Sequence, residues 1–347
     1  MWKKPKTLVC ATMGVPPTLA LICLNWTICF SVEGESRKAV LITGPTAAGK
    51  TEIAMEVFDR IGGESEATLI SVDSTLVYRG MDIGTAKPHK DALIKYPHAL
   101  IDIRDPREAY SAADFVSDAD ELLNEAAKED RLPILVGGSM LYIKCLRDGI
   151  SRLPKTDPEV RAYLEQRVEQ NGLGEVYKEL KAADPEAAIN IHPNNRQRVM
   201  RAMEVFLVTG KNISTFWLEN PAKNLHQRLG YEITSLAVAP RQRRDLDQRI
   251  ERRFRLMLEE GFLEEVRSLR QMEGLHEGSA SMRSVGYRQA WKHLDGLTNK
   301  DEFAQEALLA TRLLAKKQMT WLRSWENLEF FPLSEGAELT KRALKVG

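Results

Sequence analysis

Residues 44 to 51 read GPTAAGKT, with Gly44 and Gly49 framing a turn that ends in Lys50 and Thr51. This is the G-x-x-x-x-G-K-[ST] spacing of a phosphate-binding loop, and it stands where such a loop must stand, after an apolar run and before a helical one. Pro45, Thr46, Ala47 and Ala48 lie between the glycines, Lys50 supplies a point charge, and the Thr51 hydroxyl is a ligand of the kind Mg²⁺ takes. The loop specifies a polyphosphate without specifying a reaction.

Asp73 directly follows the run TLISV (68 to 72). At the carboxyl end of a strand in a doubly wound sheet it would open onto the crevice of the phosphate loop. Ser74, Tyr78, Arg79 and the turn Gly84-Thr85-Ala86-Lys87 surround it in sequence, which suggests a polar site; the other reading is an aspartate that caps its own turn. In RQRRDLDQRIERRFRLMLEEGF, at about 100° per residue, Leu246, Ile250, Phe254 and Met257 form an apolar stripe, and Arg253 falls within it. A cation there needs a partner: either a carboxylate of the same chain or the polyphosphate, whose developing charge a guanidinium stabilises. Two further segments mix bases with other types. PNNRQRVMRAMEVF sets Arg196, Arg198 and Arg201 against Val199, Met203 and Phe206, a face for phosphate backbones or for solvent. SMRSVGYRQAW joins Arg283, Tyr287, Arg288 and Trp291, suited to stacking on an extruded base or, at i and i+4, to core packing.

These groups need a frame. Apolar runs at 38 to 43, 68 to 72, 98 to 103 and 132 to 137 alternate with helical stretches, the pattern of a parallel sheet covered on both faces. Ser111 and Asp114 announce the helix before the last of these runs as a capping box. From 154 to 228 the chain is charged, helical and free of strand signals, so it reads as an all-helical subdomain inserted between a first core part (34 to 153) and a second (229 to 347). YEITSLAVA (231 to 239) resumes strand character, and three amphipathic helices then lead to LEFFPL. The predicted fold class is α/β, a P-loop NTPase-like parallel sheet flanked by helices.

Lysine plus arginine and aspartate plus glutamate number 49 each, so the zero net charge conceals any polyanion site. The distribution does not. Ten acids face four bases between Asp102 and Arg131, whereas thirteen bases face six acids between Asn190 and Arg255. Three of the four cysteines (Cys10, Cys23, Cys29) fall in the first thirty residues, leaving Cys145 without a partner for a disulfide or zinc framework. The opening 33 residues read as an atypical extension, basic and then apolar but interrupted by Pro16-Pro17, and the working chain is expected to begin near Val32.

Together GPTAAGKT, DSTLVYRGMDIGTAKP, VGGSMLY, NRQRVMRAMEV, SMRSVGYRQAW and TRLLAKKQMTWLR resemble the tRNA dimethylallyltransferase (tRNA isopentenyltransferase) family, over about Lys38 to Trp325. The resemblance implies transfer of a dimethylallyl group from dimethylallyl diphosphate to N6 of the adenosine next to the anticodon. The helical insertion would grip the anticodon stem-loop. It assigns catalysis to Asp73 as general base with Arg253 and Lys50, and diphosphate binding to residues 44 to 51 with Mg²⁺ on Thr51. tRNA contact would fall to Asp73, Ser74, Thr75 and Leu76, to Ser139, to Gln197, Arg198, Val199, Met200 and Arg201, and to Arg283, Ser284, Val285, Gly286, Tyr287 and Arg288. Thr75-Leu76 stands where the family often has Met-Gln, and Ser139 replaces a usual threonine. A cytoplasmic monomer without stable membrane association is expected. Prenylation of free adenine nucleotides, a small-molecule P-loop kinase, and a non-catalytic RNA-binding protein are the competing readings.

Overall fold

The structure is a computed structural model that describes residues 36–326 and 328–346. The expected N-terminal extension, the start near Val32 and three of the cysteines lie outside the described residues. Six parallel strands form one sheet: β1 (Arg37–Thr43), β2 (Ala67–Val72), β3 (His98–Ala99), β4 (Leu132–Gly137), β5 (Tyr231–Val238) and β6 (Glu329–Phe331), in the order β3-β2-β4-β1-β5-β6. Alternation along β1 shows why the runs are apolar throughout. Val40 and Ile42 face Ala54, Val57 and Phe58 of helix Lys50–Ile61, whereas Ala39 and Leu41 face the cluster holding Phe115, Ala119 and Leu123 of helix Ala112–Lys128. Each fully buried residue of this size contributes about 1.5–3 kcal/mol, so both faces stay covered.

The predicted capping box forms: Ser111 N–H donates to Asp114 Oδ2 (2.8 Å) and Asp114 N–H to Ser111 Oγ (3.2 Å). The run 98 to 103 is strand only at His98 and Ala99. Leu100 (φ 66°) and Asp102 (φ 57°) are left-handed, which ends the ladder. The turn is held from outside, because Asp102 N–H donates to Leu76 O (3.1 Å) and Arg104 N–H to Val77 O (2.8 Å). Lys87, its side chain 3% exposed, ties Asp82 (2.6 Å), Asp102 (2.5 Å) and the Tyr78 carbonyl (2.9 Å) together.

Between 158 and 219 the chain is helical and buries its own apolar cluster, centred on Leu164, Val176, Leu180, Val199 and Met200. Between β5 and β6 come four helices among the described residues and not the expected three: Arg243–Glu259, Phe262–Arg270, Tyr287–Leu294 and Lys300–Arg323, with Gly261 parting the first two. No helix among the described residues is long and apolar enough to cross a membrane.

Candidate active site

The carboxyl ends of β1, β2 and β4 open into one cleft of about 540 Å³. β1 ends in the glycine loop. Gly44 has φ +152°, and a Cβ there would stand 2.1 Å from Val238 O, so no other residue fits. Ala48 N–H bonds to Pro45 O (3.3 Å), closing the turn, and the helix that starts at Lys50 presents its first amides toward the cleft. Lys50 Nζ donates to Pro45 O (2.9 Å). Burial lowers the Lys50 pKa to about 8, opposed by Asp73 and less by Glu52, and reinforced by Arg253. Arg253 Nη2 donates to Thr46 Oγ1 (2.7 Å), and burial pushes its guanidinium down against the same two carboxylates. Among the described residues Arg253 makes no ion pair with a carboxylate, and its guanidinium rests on the hydroxyl of the loop residue Thr46. Two partly desolvated cations facing the loop are a site that an anion relieves.

Asp73 caps its own turn and also lines the cleft. Its Oδ1 accepts Thr75 N–H (2.8 Å), Thr75 Oγ1 (2.6 Å) and Leu76 N–H (3.4 Å), an Asx turn. Its Oδ2 has no protein donor among the described residues, and the carboxylate lines the cleft with Lys50, Thr51 and Arg253. Ser74 N–H donates to Ser139 Oγ (2.9 Å), which joins the aspartate turn to the end of β4. Apolar walls complete the space: Tyr142, Phe254, Met257, Phe262 and Trp321 line it. Among the described residues no three His, Cys, Asp or Glu side chains gather to hold a metal. The Thr51 hydroxyl lines the cleft beside the glycine loop, and one such hydroxyl would suit Mg²⁺, which takes most of its ligands from phosphate oxygens and water.

The predicted RNA-facing residues divide by burial. Ser74, Gln197, Arg198, Arg283 and Arg288 are exposed, and Val285 and Gly286 line the cleft. Val199 and Met200 are fully buried in the helical cluster, so their side chains pack and do not face a ligand. Arg201 also turns inward, to Pro154 O and to the buried Glu204 (2.9 Å). Tyr287 is core: it is fully buried, edge-on to Phe262 (5.2 Å, 85°), with its hydroxyl on Glu265 Oε1 (2.5 Å). Stacking on a base by Tyr287 is corrected accordingly.

Sequence reasoning missed two positioning side chains, Glu265 and Gln318, and placed a third, Lys87, only within a polar turn. Glu265 accepts the amides of Asp82 (2.8 Å), Ile83 (2.7 Å) and Gly84 (3.2 Å), which seats the MDIGTAK loop at the cleft. Lys87 anchors the same loop from the other side. Gln318 bridges the glycine loop and β4, and its signal was a polar residue inside an apolar helical stripe.

A parallel sheet with a glycine loop at one strand tip and a carboxylate at another defines a P-loop NTPase-like protein. Residues 76–325 match the family described as IPP transferase, and the chain belongs to that family. It is 45% identical over 317 residues to tRNA dimethylallyltransferase 2 of Hahella chejuensis, covering 89% of this chain and 94% of that protein. It is 47% identical over 308 residues to tRNA dimethylallyltransferase of Chromohalobacter salexigens, covering 89% and 96%. Among solved structures it resembles the tRNA isopentenylpyrophosphate transferase of Bacillus halodurans, with 32% identity, a TM-score of 0.61, and 90% and 96% of the two chains covered.

Proposed function

We propose that the protein transfers a dimethylallyl group from dimethylallyl diphosphate to N6 of the adenosine next to the tRNA anticodon, releasing diphosphate. One observation carries the reading: the glycine loop, Lys50 and Arg253 converge on the cleft that Asp73 enters with a carboxylate oxygen that no donor among the described residues takes, between apolar walls that suit a prenyl chain. The diphosphate lies on the loop amides, and Phe254, Met257 and Trp321 shield the prenyl chain from water. N6 attacks C1 of the prenyl group, the C1–O bond breaks, and its electron pair leaves with the diphosphate. The N6 proton passes to Asp73 Oδ2 while Oδ1 stays in its turn. Lys50 and Arg253 stabilise the charge that grows on the leaving oxygens. Mg²⁺, held by Thr51 and the diphosphate, would add neutralisation there. Gln197, Arg198, Arg283 and Arg288 offer exposed donors for the anticodon stem-loop. The adenosine must leave its stack, which costs a few kcal/mol in a single-stranded loop. The same reading makes the protein a cytoplasmic monomer.

The test incubates the protein and Mg²⁺ with unmodified tRNA and either dimethylallyl diphosphate or ATP, with AMP as a rival acceptor. Mass spectrometry of the digested tRNA should show N6-dimethylallyladenosine from the prenyl donor alone. Prenylated AMP without prenylated tRNA, or phosphorylation from ATP, would overturn the proposal.

A further inference from the structure

Helix Lys300–Arg323 buries Phe303, Ala307, Ala315, Gln318 and Leu322, a set with one polar member. The Gln318 amide is satisfied at both ends. Its Oε1 accepts Thr46 N–H at 2.9 Å, and its Nε2 donates to Gly138 O at 2.8 Å, so one side chain clips the glycine loop to the end of β4. The orientation is dictated, because a backbone N–H can only donate and a carbonyl only accept. Gly138 is shaped to this contact: a Cβ there would stand 2.9 Å from Gln318 Nε2 and 3.0 Å from Gly44 O.

Thr46 is thus held twice from the C-terminal half, by Gln318 on its amide and by Arg253 on its hydroxyl. The next residue, Ala47, has φ 63°, a left-handed backbone that costs a residue with Cβ about 1–2 kcal/mol and persists where neighbours over-determine it. With Thr46 N–H taken and Ala48 N–H on Pro45 O, Ala47, Gly49 and the helix-start amides of Lys50 and Thr51 remain to meet an anion. A phosphate loop of this type in nucleoside triphosphatases cradles consecutive phosphates along its amides. Here the amide at the far end of that row is withdrawn, and the Arg253 guanidinium stands over it.

We infer that Gln318 is a positioning residue that sets the loop to the size of a diphosphate: two phosphates seat over the helix start, and a third finds no backbone amide at Thr46. This rests on the prenyl diphosphate reading above. Calorimetric titration of the full-length protein with inorganic diphosphate and with tripolyphosphate tests it, alongside Gln318→Met, which keeps the length and loses both hydrogen bonds. The unaltered protein should prefer diphosphate. Gln318→Met should bind diphosphate about tenfold more weakly, the effect of about 1.4 kcal/mol, while tripolyphosphate binding holds or tightens. The KM for dimethylallyl diphosphate should rise in step, with the KM for tRNA unchanged. Gly138→Ala, whose added Cβ would crowd the Gln318 amide (2.9 Å) and Gly44 O (3.0 Å) together and so shift the same end of the loop, should narrow the preference in the same direction and covers the case in which Gln318→Met does not fold. Equal weakening toward both anions, or unaltered diphosphate binding, would mark Gln318 as scaffold and overturn the inference. Binding of neither anion by the unaltered protein would remove the prenyl diphosphate reading along with it.

Discussion

Asp73→Asn separates the two jobs of this carboxylate. The turn depends on Oδ1, which takes bonds from Thr75 N–H, Thr75 Oγ1 and Leu76 N–H, and an asparagine retains that acceptor. The proposed base is Oδ2, which has no donor among the described residues and becomes an amide nitrogen in the variant. Stability should therefore change by less than about 1 kcal/mol, one neutral hydrogen bond at most. Loss of a positioned general base removes about 10²–10⁴ in rate, or about 2.7–5.4 kcal/mol of barrier at about 1.36 kcal/mol per decade. Asp73→Ala should lose a similar rate factor and also about 1–3 kcal/mol of stability, since it strands two amides and a hydroxyl. The assay is single-turnover transfer from labelled dimethylallyl diphosphate to unmodified tRNA, with tRNA affinity measured by filter binding. Affinity should hold in both variants. If Asp73→Asn retains transfer within about fivefold of the unaltered enzyme, Asp73 is a turn residue and the base lies elsewhere.

In the proposed reaction Lys50 must be protonated to hold the diphosphate, and burial lowers its pKa to about 8, so that contribution is present below that pH and lost above it. The kcat/KM for dimethylallyl diphosphate should fall as pH rises through about 8, and a profile flat to about pH 9.5 would contradict the assignment. Glu265→Ala leaves three backbone amides and the Tyr287 hydroxyl without their acceptor. Urea denaturation should register a loss of about 3 kcal/mol, with transfer activity falling as the MDIGTAK loop loosens. Arg198 is exposed and makes no ion pair among the described residues, so Arg198→Ala should weaken tRNA binding severalfold and reduce the salt slope by about one, leaving the KM for the prenyl donor unchanged.

The phosphate loop was legible in the sequence because all its determinants lie within eight residues: glycines for the turn, a helix start for the amides, a lysine and a hydroxyl. Asp73 at a strand tip, the Ser111 capping box and Arg253 inside an apolar stripe were legible for the same reason, since strand and helix periods fix which way neighbouring side chains point. Those rules stop at the edge of each element. They placed Arg198 and Arg201 alike as charges on one helix face, yet packing sends Arg201 to a buried glutamate and leaves Arg198 in solvent. They read Tyr287 as a surface aromatic or a core one, and the choice fell to Phe262 and Glu265, contributed by another helix. They extended a strand through 98 to 103, where Lys87 and the amides facing Leu76 and Val77 stabilise a left-handed turn instead. The clip from Gln318 to Thr46 spans 272 residues and that to Gly138 spans 180. No local preference encodes such a contact, because its free energy exists only once the sheet has ordered the loop and the last long helix has packed across it.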